Sequence, residues 1–435
     1  MNYTETLNYL YSSTPVFEKI GNTAYKEGLY NSLELDRHLG HPHQQFKSIH
    51  VAGTNGKGST SHTLAAILQA NGYKVGLYTS PHLVDFRERI RVNGRCIEEG
   101  YVMEFVQKHR SFFEPLHPSF FELTTALAFQ YFADKQVDIA VIEVGLGGRL
   151  DCTNIITPIL SVITNIGIDH TQFLGTTLPE IAAEKAGIIK SNVPVVIGET
   201  LPETRVIFSQ KTKEKAAPVI FAEENDEKAV FKGSKNGRMV YHTQHFGTIE
   251  SELTGFCQVK NTNTILCAAQ QLETMGIITT KEAVKNGFLN VTKTTGLMGR
   301  WQKTNDSPLV ICDTGHNADG WKYLSQQLGR QKCENMLVVF GMVDDKDVDA
   351  ILALLPRRAT YFFTQADTHR AIPARKIQEL ALQHHLIGET FNNVEQAYQT
   401  ALRQARPNDF IFVGGSSYIV ADFLTMLQQK QGKRQ

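Results

Sequence analysis

The stretch Val51-Ala52-Gly53-Thr54-Asn55-Gly56-Lys57-Gly58-Ser59-Thr60 holds the residue types that an anion site needs. A short apolar run, Ile49-His50-Val51, precedes it, and Ser61–Leu68 follows with helical spacing. A strand, a glycine-rich turn and a helix start, in that order, let backbone N–H groups crowd round a phosphate while the helix N-terminus adds partial positive charge. Lys57 is placed to reach the outer phosphates, and the Ser59 or Thr60 hydroxyl to face a magnesium ion. The common P-loop puts its lysine directly between the last glycine and Ser/Thr, whereas here Gly58 separates Lys57 from Ser59. A loop with chance glycines would not combine strand, lysine, hydroxyls and helix, so Gly53–Thr60 reads as an ATP site.

Other chemistry-bearing residues fall at the ends of apolar runs. Glu143 follows Ile139-Ala140-Val141-Ile142 and precedes the glycine-rich Val144–Asp151. A carboxylate at a strand end in a phosphate-binding protein suits magnesium, which prefers oxygen ligands; the rival reading is a solvated loop glutamate. His170 comes after a second run, Leu160–Thr164, and either ligates metal or caps the next segment. Lys185 sits among small residues on a helix, a pattern more often found for a surface or salt-bridged lysine than for a catalytic one. Further on, Asp313 ends the run Val310-Ile311-Cys312 and could hold the ribose hydroxyls of ATP, while Arg300 could clamp phosphates bidentately. Each of these two reads equally well as an ordinary loop residue, and Gly414–Ser417 after the last strand is a weaker signal still.

The elements that must position these groups are legible from composition and pattern. At 435 residues the chain exceeds one ordinary core, so two or three domains are expected. Apolar residues make up 42% and charged residues 20%, and Lys+Arg 44 balance Asp+Glu 44, which gives no sign of a nucleic-acid or membrane partner. The N-terminus lacks the basic and apolar regions of a signal peptide, and no run approaches a membrane span, so a cytoplasmic location is expected. Six scattered cysteines without a C-x-x-C pair suit free thiols in a reducing compartment. Residues 1–45 suggest a helical lead-in followed by polar, His-rich loops, and strands then alternate with helices from Ile49 to about Gly187. That alternation predicts a mostly parallel sheet covered by helices, with ligands beyond the carboxyl ends of the strands. The stretch from about 215 to 256 is more polar and suggests a few antiparallel strands. Helices resume near 261–275 and 280–290, a linker spans Lys293–Arg300, and strands recur near 309–313, 336–340, 359–364 and 409–413. The expected architecture is therefore α/β: a P-loop ATPase domain over 1–296 and a smaller Rossmann-like α/β domain over 297–435.

Several separated motifs together resemble the folylpolyglutamate synthase/dihydrofolate synthase family, relatives of the Mur peptide ligases. They are Gly53–Ser59, Ser80-Pro81-His82-Leu83, Phe121-Glu122, Glu143–Asp151, Asp169-His170, Glu184–Ile188, Gly299-Arg300 and Asp313–Asn317. Two stretches depart from the family pattern. Asp313-Thr314-Gly315-His316-Asn317-Ala318 stands for the usual Asp-x-Ala-His-Asn-Pro, and Cys257-Gln258-Val259-Lys260-Asn261 for His-Gln-x-x-Asn.

The resemblance implies roles for matching positions. Gly53, Thr54, Asn55, Gly56, Lys57, Gly58, Ser59 and Thr60 would bind the ATP phosphates. Ser59, Ser80, Glu143 and His170 would carry magnesium, joined by Lys185 as a carbamate, which turns an amine into an oxygen ligand. Asn261, Arg300 and Asp313 would contact ATP across an interdomain cleft, with His316 beside them as a catalytic candidate. Ser119, Phe120, Phe121 and Glu122, with Leu150, Asp151 and Cys152, would border a pterin pocket over which the loop after Ser80 closes. The implied reaction joins L-glutamate to reduced folate or dihydropteroate through an acyl phosphate, with ATP and Mg2+ as cofactors, in a monomer. Two other readings stay open. A Mur-type cell-wall ligase normally carries a sizeable domain before its phosphate loop, and only about fifty residues precede Gly53, fewer than a typical domain needs. A P-loop NTPase switch would not need a second α/β domain.

Overall fold

The computed structural model describes residues 1–13, 28–225, 228–344 and 347–432. The chain forms two compact units. The first comprises Met1–His82, Phe86–Thr254 and Gln258–Leu297; the second comprises Leu83–Asp85, Gly255–Cys257 and Met298–Gln435.

The first unit is built on strands β1 (Lys47–Ala52), β2 (Val75–Tyr78), β3 (Ile90–Val92), β4 (Arg95–Cys96), β5 (Ile139–Glu143), β6 (Leu160–Ile163), β7 (Val195–Ile197) and β8 (Val219–Phe221). They form one eight-stranded sheet in the order β4-β3-β2-β5-β1-β6-β7-β8. The six from β2 to β8 run parallel, and β3 and β4 add an antiparallel edge. Every residue of β5 and β6 is buried, which is why both read as mainly apolar runs rather than alternating ones, broken by Glu143 and Ser161. Side chains nevertheless divide between the two faces with period two. Ile139 and Val141 join the core cluster that includes Leu64, Ile67, Ile265 and Phe288, whereas Ala140 and Ile142 join Leu123, Leu127 and Phe132 on the other face. Each such aliphatic or aromatic side chain contributes about 1.5–3 kcal/mol on burial. The helix Lys57–Ala70 therefore lies on the face shared with Gln258–Thr274 and Lys281–Leu289, and the helix Phe120–Asp134 on the opposite face.

The polar stretch near 215–256 divides. β9 (Val230–Lys235), β10 (Arg238–Thr243) and β11 (Gly247–Ser251) make the expected antiparallel sheet. β8, by contrast, joins the main sheet parallel to β7, because the helix Pro202–Glu214 between them supplies a crossover. The expected lead-in is helical at Tyr3–Ser13 and Tyr30–His38; the stretch 14–27 lies outside the described residues.

The second unit holds β12 (Gln302–Asp306), β13 (Leu309–Asp313), β14 (Met336–Phe340), β15 (Thr360–Phe363), β16 (Gly388–Thr390) and β17 (Phe410–Gly414) in the order β12-β13-β17-β14-β15-β16. All are parallel except β12. The inner strands are the apolar runs that the sequence displays, while the edge strands β12 and β16 are polar and half exposed. Leu83 and Val84 of the loop after Ser80 pack into this unit's core beside Val420 and Phe423. All six cysteines are free thiols. Among the described residues no helix is long and apolar enough to cross a membrane.

Candidate functional site

In the first unit the register of the parallel strands lines up the candidate groups. Val51 of β1 pairs with Glu143 of β5, Ala52 pairs with Ile163 of β6, and Tyr78 of β2 pairs with Ile142. Ser80, Glu143, Gly53 and the segment after Ile163 thus leave one carboxyl edge side by side. Gly53 has φ +146, and a Cβ there would lie 1.8 Å from Thr164 Oγ1, so no side chain fits. Gly56 is the N-cap of the helix Lys57–Ala70 in a left-handed conformation, φ 85, and a Cβ there would meet Asn261 Oδ1 at 2.3 Å. The segment after β6 laces the loop in place. Thr54 N–H donates to Asn165 C=O at 3.0 Å, Asn55 N–H to Asn165 Oδ1 at 2.8 Å, and Thr164 Oγ1 to Asn55 C=O at 2.6 Å. The helix carries no side-chain cap, so its first N–H groups keep the donor capacity an anion can use. Lys57 Nζ donates to the carbonyls of Gly53 and Thr54 at 3.0 and 3.2 Å.

Two hydroxyls had been expected to compete for a cation, and the structure separates them. Ser59 Oγ accepts from Gln258 Nε2 at 3.1 Å, and Gln258 Oε1 in turn accepts from Asn261 Nδ2 at 3.0 Å. Thr60 is fully buried within its helix and its hydroxyl finds no partner. Gln258 escaped sequence reasoning because its partner lies 199 residues away, although it stands within the quoted Cys257–Asn261 motif.

The acidic and basic candidates gather along the same edge. Glu143 is buried, and Ser80 N–H lies 3.4 Å from its Oε2. His170 is left-handed, φ 51, at the start of the short helix Thr171–Leu174. Lys185 is buried at the end of the helix Leu178–Ala186. Burial, reinforced by the charge of Lys57, pushes its amine down to about 7, while Asp169, Asp151 and Glu184 pull the other way. The glycine run explains how this lysine comes close: a Cβ on Gly148 would be 2.8 Å from Glu184 C=O, and Arg149 N–H donates to that carbonyl at 2.8 Å. The loop backbone thus rests directly on the lysine's helix.

The residues expected to border a pterin pocket are firmly engaged. Ser119 and Glu122 form a reciprocal cap of the helix Phe120–Asp134, with Ser119 N–H donating to Glu122 Oε2 at 2.6 Å and Glu122 N–H to Ser119 Oγ at 3.2 Å. Asp151 accepts Leu146 N–H at 2.8 Å and Thr153 N–H at 3.0 Å, so it holds the glycine run; burial raises its carboxyl despite these bonds. Phe120 stacks near Tyr11 and Arg89, and Phe121 packs against Gly145. Leu150 is half-buried, and Cys152 joins Glu122 and Ser32 in lining a small cavity.

In the second unit Asp313 is buried at the end of β13, and both its oxygens accept backbone N–H groups, Oδ2 from Trp301 at 2.7 Å and Oδ1 from Gly315 at 2.8 Å. Burial raises its carboxyl, and Arg300 is the main opposing influence. Thr314 N–H donates to Gly299 C=O at 3.0 Å, so the Gly299–Trp301 linker is tied to the strand end. His316 Nδ1 lies 3.0 Å from Thr314 C=O, and Asn317 caps the following helix, Ala318–Arg330.

Both units match known proteins. The Mur ligase middle domain model matches residues 51–269, half of the chain, and the Mur ligase glutamate ligase domain matches residues 299–417. The folylpolyglutamate synthase of Lacticaseibacillus casei is 33% identical, with 97% of each chain covered. The chain belongs to the folylpolyglutamate synthase/dihydrofolate synthase family of Mur ligases. A "Probable bifunctional folylpolyglutamate synthase/dihydropteroate synthase" of Haloferax volcanii is 33% identical over 98% of this chain, which spans 50% of that longer protein. Among solved structures, Escherichia coli FolC in complex with DHPP and ADP is 30% identical with TM-score 0.84, covering 99% of both chains. A bifunctional folylpolyglutamate synthase/dihydrofolate synthase with Mn, AMPPNP and L-glutamate bound is 28% identical with TM-score 0.80, covering 98% of both. As a member of this ligase family the chain is an ATP-dependent ligase acting on small molecules.

Proposed function

We propose that the chain joins L-glutamate to the carboxylate of a reduced folate, and of dihydropteroate, at the expense of ATP. The observation that carries the reading is the glycine loop clamped by Thr164 and Asn165 beside buried Glu143 and Lys185, on a family background of nucleotide- and glutamate-bound relatives. The substrate carboxylate attacks the γ-phosphoryl group and gives an acyl phosphate and ADP; the glutamate amine then attacks the acyl carbon and expels phosphate. Backbone N–H groups at Gly56–Ser59 and the Lys57 ammonium bind and neutralise the phosphates, where positioning and electrostatics dominate catalysis.

The donor set fits a magnesium ion. Glu143 offers a buried carboxylate, Ser59 and Ser80 offer hydroxyls, Lys185 supplies oxygen once carbamylated, and His170 adds a ring nitrogen to this mainly oxygen set. Carbamylation needs a neutral amine, and the depressed Lys185 meets that need near neutral pH. When bound, the ion neutralises phosphoryl charge. In the second unit Arg300, Asp313 and His316, with Asn261 of the first, are assigned to ATP and the transferred group. ATP and pterin binding are assigned to the first unit and glutamate ligation to the second, in a cytoplasmic monomer. An assay supplying ATP, labelled glutamate and each pterin acceptor separately tests the proposal. Amide product with both acceptors is expected, and product with neither overturns it.

A further inference from the structure

Outside the site described above, three metal-ligating side chains converge where the chain turns toward β1. Asp36 lies near the end of the helix Tyr30–His38, and only 4% of its side chain is exposed. An imidazole meets each of its oxygens: His41 Nδ1 lies 2.7 Å from Oδ2, and His43 Nδ1 lies 2.6 Å from Oδ1. One donor atom from each residue lies within 4.8 Å of the other two. The backbone fixes this convergence. His41 is left-handed, φ 59, its N–H donates to Asp36 C=O at 2.8 Å, and Pro42 begins the tight turn Pro42–Gln44 that carries His43.

A buried carboxylate at a helix end needs compensation, and one imidazole would supply it. Two imidazoles, held in a His-Pro-His turn and aimed at opposite oxygens of one carboxylate, make the donor set of a transition-metal site. Two nitrogens and one oxygen suit zinc-type ions, whereas magnesium prefers oxygen alone. We propose that Asp36, His41 and His43 bind a divalent transition ion of the zinc type, at residues separate from those assigned to magnesium.

In the metal-free chain each Nδ1–H donates to the ionised carboxylate, which can only accept. On binding, each imidazole carries its proton on Nε2 and gives the Nδ1 lone pair to the ion, while Asp36 exchanges the single hydrogen bond at each of its oxygens for a metal bond through one of them. Ligand distances of about 2.0–2.2 Å require the triad to open by roughly half an ångström to an ångström. His41 can provide that movement, since 49% of its side chain is exposed against 14% for His43, and it leaves water a route to the remaining position. The bound ion would pin the helix Tyr30–His38 to the segment feeding β1 and the ATP loop.

Cobalt(II) is the probe, titrated into the full chain under saturating Mg2+ and followed by visible absorption. The wild type is expected to take up one more equivalent than His41→Asn and His43→Gln, with affinity at the site falling at least about tenfold in each variant. Both variants are expected to keep Mg2+-dependent turnover, and equal melting of all three metal-free proteins confirms that the fold is intact. Equal cobalt uptake and equal spectra in wild type and both variants would overturn the proposal.

Discussion

The carboxyl edges of the two parallel sheets solve the same problem in opposite ways. At the first, glycines at 53 and 56 leave the backbone bare, the charge of Lys57 adds to the burial that depresses the Lys185 amine, and Glu143 is buried beside Ser80. At the second, the chemistry-bearing Asp313 is fastened by two backbone N–H groups, and the linker carrying Arg300 is tied to the same strand end. The first edge holds a lysine whose charge burial disfavours, whereas at the second the carboxylate is already met by backbone donors. Such a difference teaches where mutation should strike activity alone and where it should strike stability as well.

The largest effect belongs to the first edge. Lys57→Ala should lower glutamate-dependent ADP release on the order of 10²–10³-fold while leaving the denaturation midpoint in place. The lysine's bonds to the Gly53 and Thr54 carbonyls lie at a half-buried surface and contribute little to the fold. Normal turnover in this variant, or a collapsed fold, would erase the contrast.

Asp313→Asn tests the other side. The amide replaces one acceptor oxygen by a donor that faces a backbone N–H, so stability should fall by about 1–3 kcal/mol together with weaker ATP binding. Urea unfolding and ATP titration read the two effects, and unchanged stability would show that the clamp is not structural.

A separate effect, confined to the pH dependence of stability, is expected from Lys185, whose depressed amine makes stability depend on pH. Its value in the folded chain is about 7 against 10.5 for a free lysine, so between those values the unfolded chain binds more protons and stability rises with pH. Below about 7 the penalty is fully present. Lys185→Met should flatten that rise in carbon dioxide-free buffer, and an identical pH slope in both proteins would place the charge cost elsewhere.

The fold was legible where one residue type dictated one environment. β14 is apolar at each position, and β5 at each position before Glu143, because both faces of their strands are covered, and their bounds could be read almost to the residue. β12 and β16 escaped, since edge strands are half solvated and carry no apolar pattern. The same division holds for the candidate site. The glycine loop announces itself locally, whereas Asn165 and Gln258 reach it across 110 and 199 residues of sequence, and only tertiary structure brings them there. The Ser119 and Glu122 pairing illustrates the converse: residues singled out for a ligand turn out to cap a helix, work that any ligand role must share. Asp36, His41 and His43 fall within the expected lead-in, where nothing in the sequence marks them as a group until the two imidazoles are seen on one carboxylate.

The central claim, that ATP phosphorylates a carboxylate before glutamate attacks, can be followed in a single atom. With the acceptor carboxylate labelled by heavy oxygen, one labelled atom should appear in the released inorganic phosphate for each amide formed. Amide product accompanied by unlabelled phosphate would contradict the account.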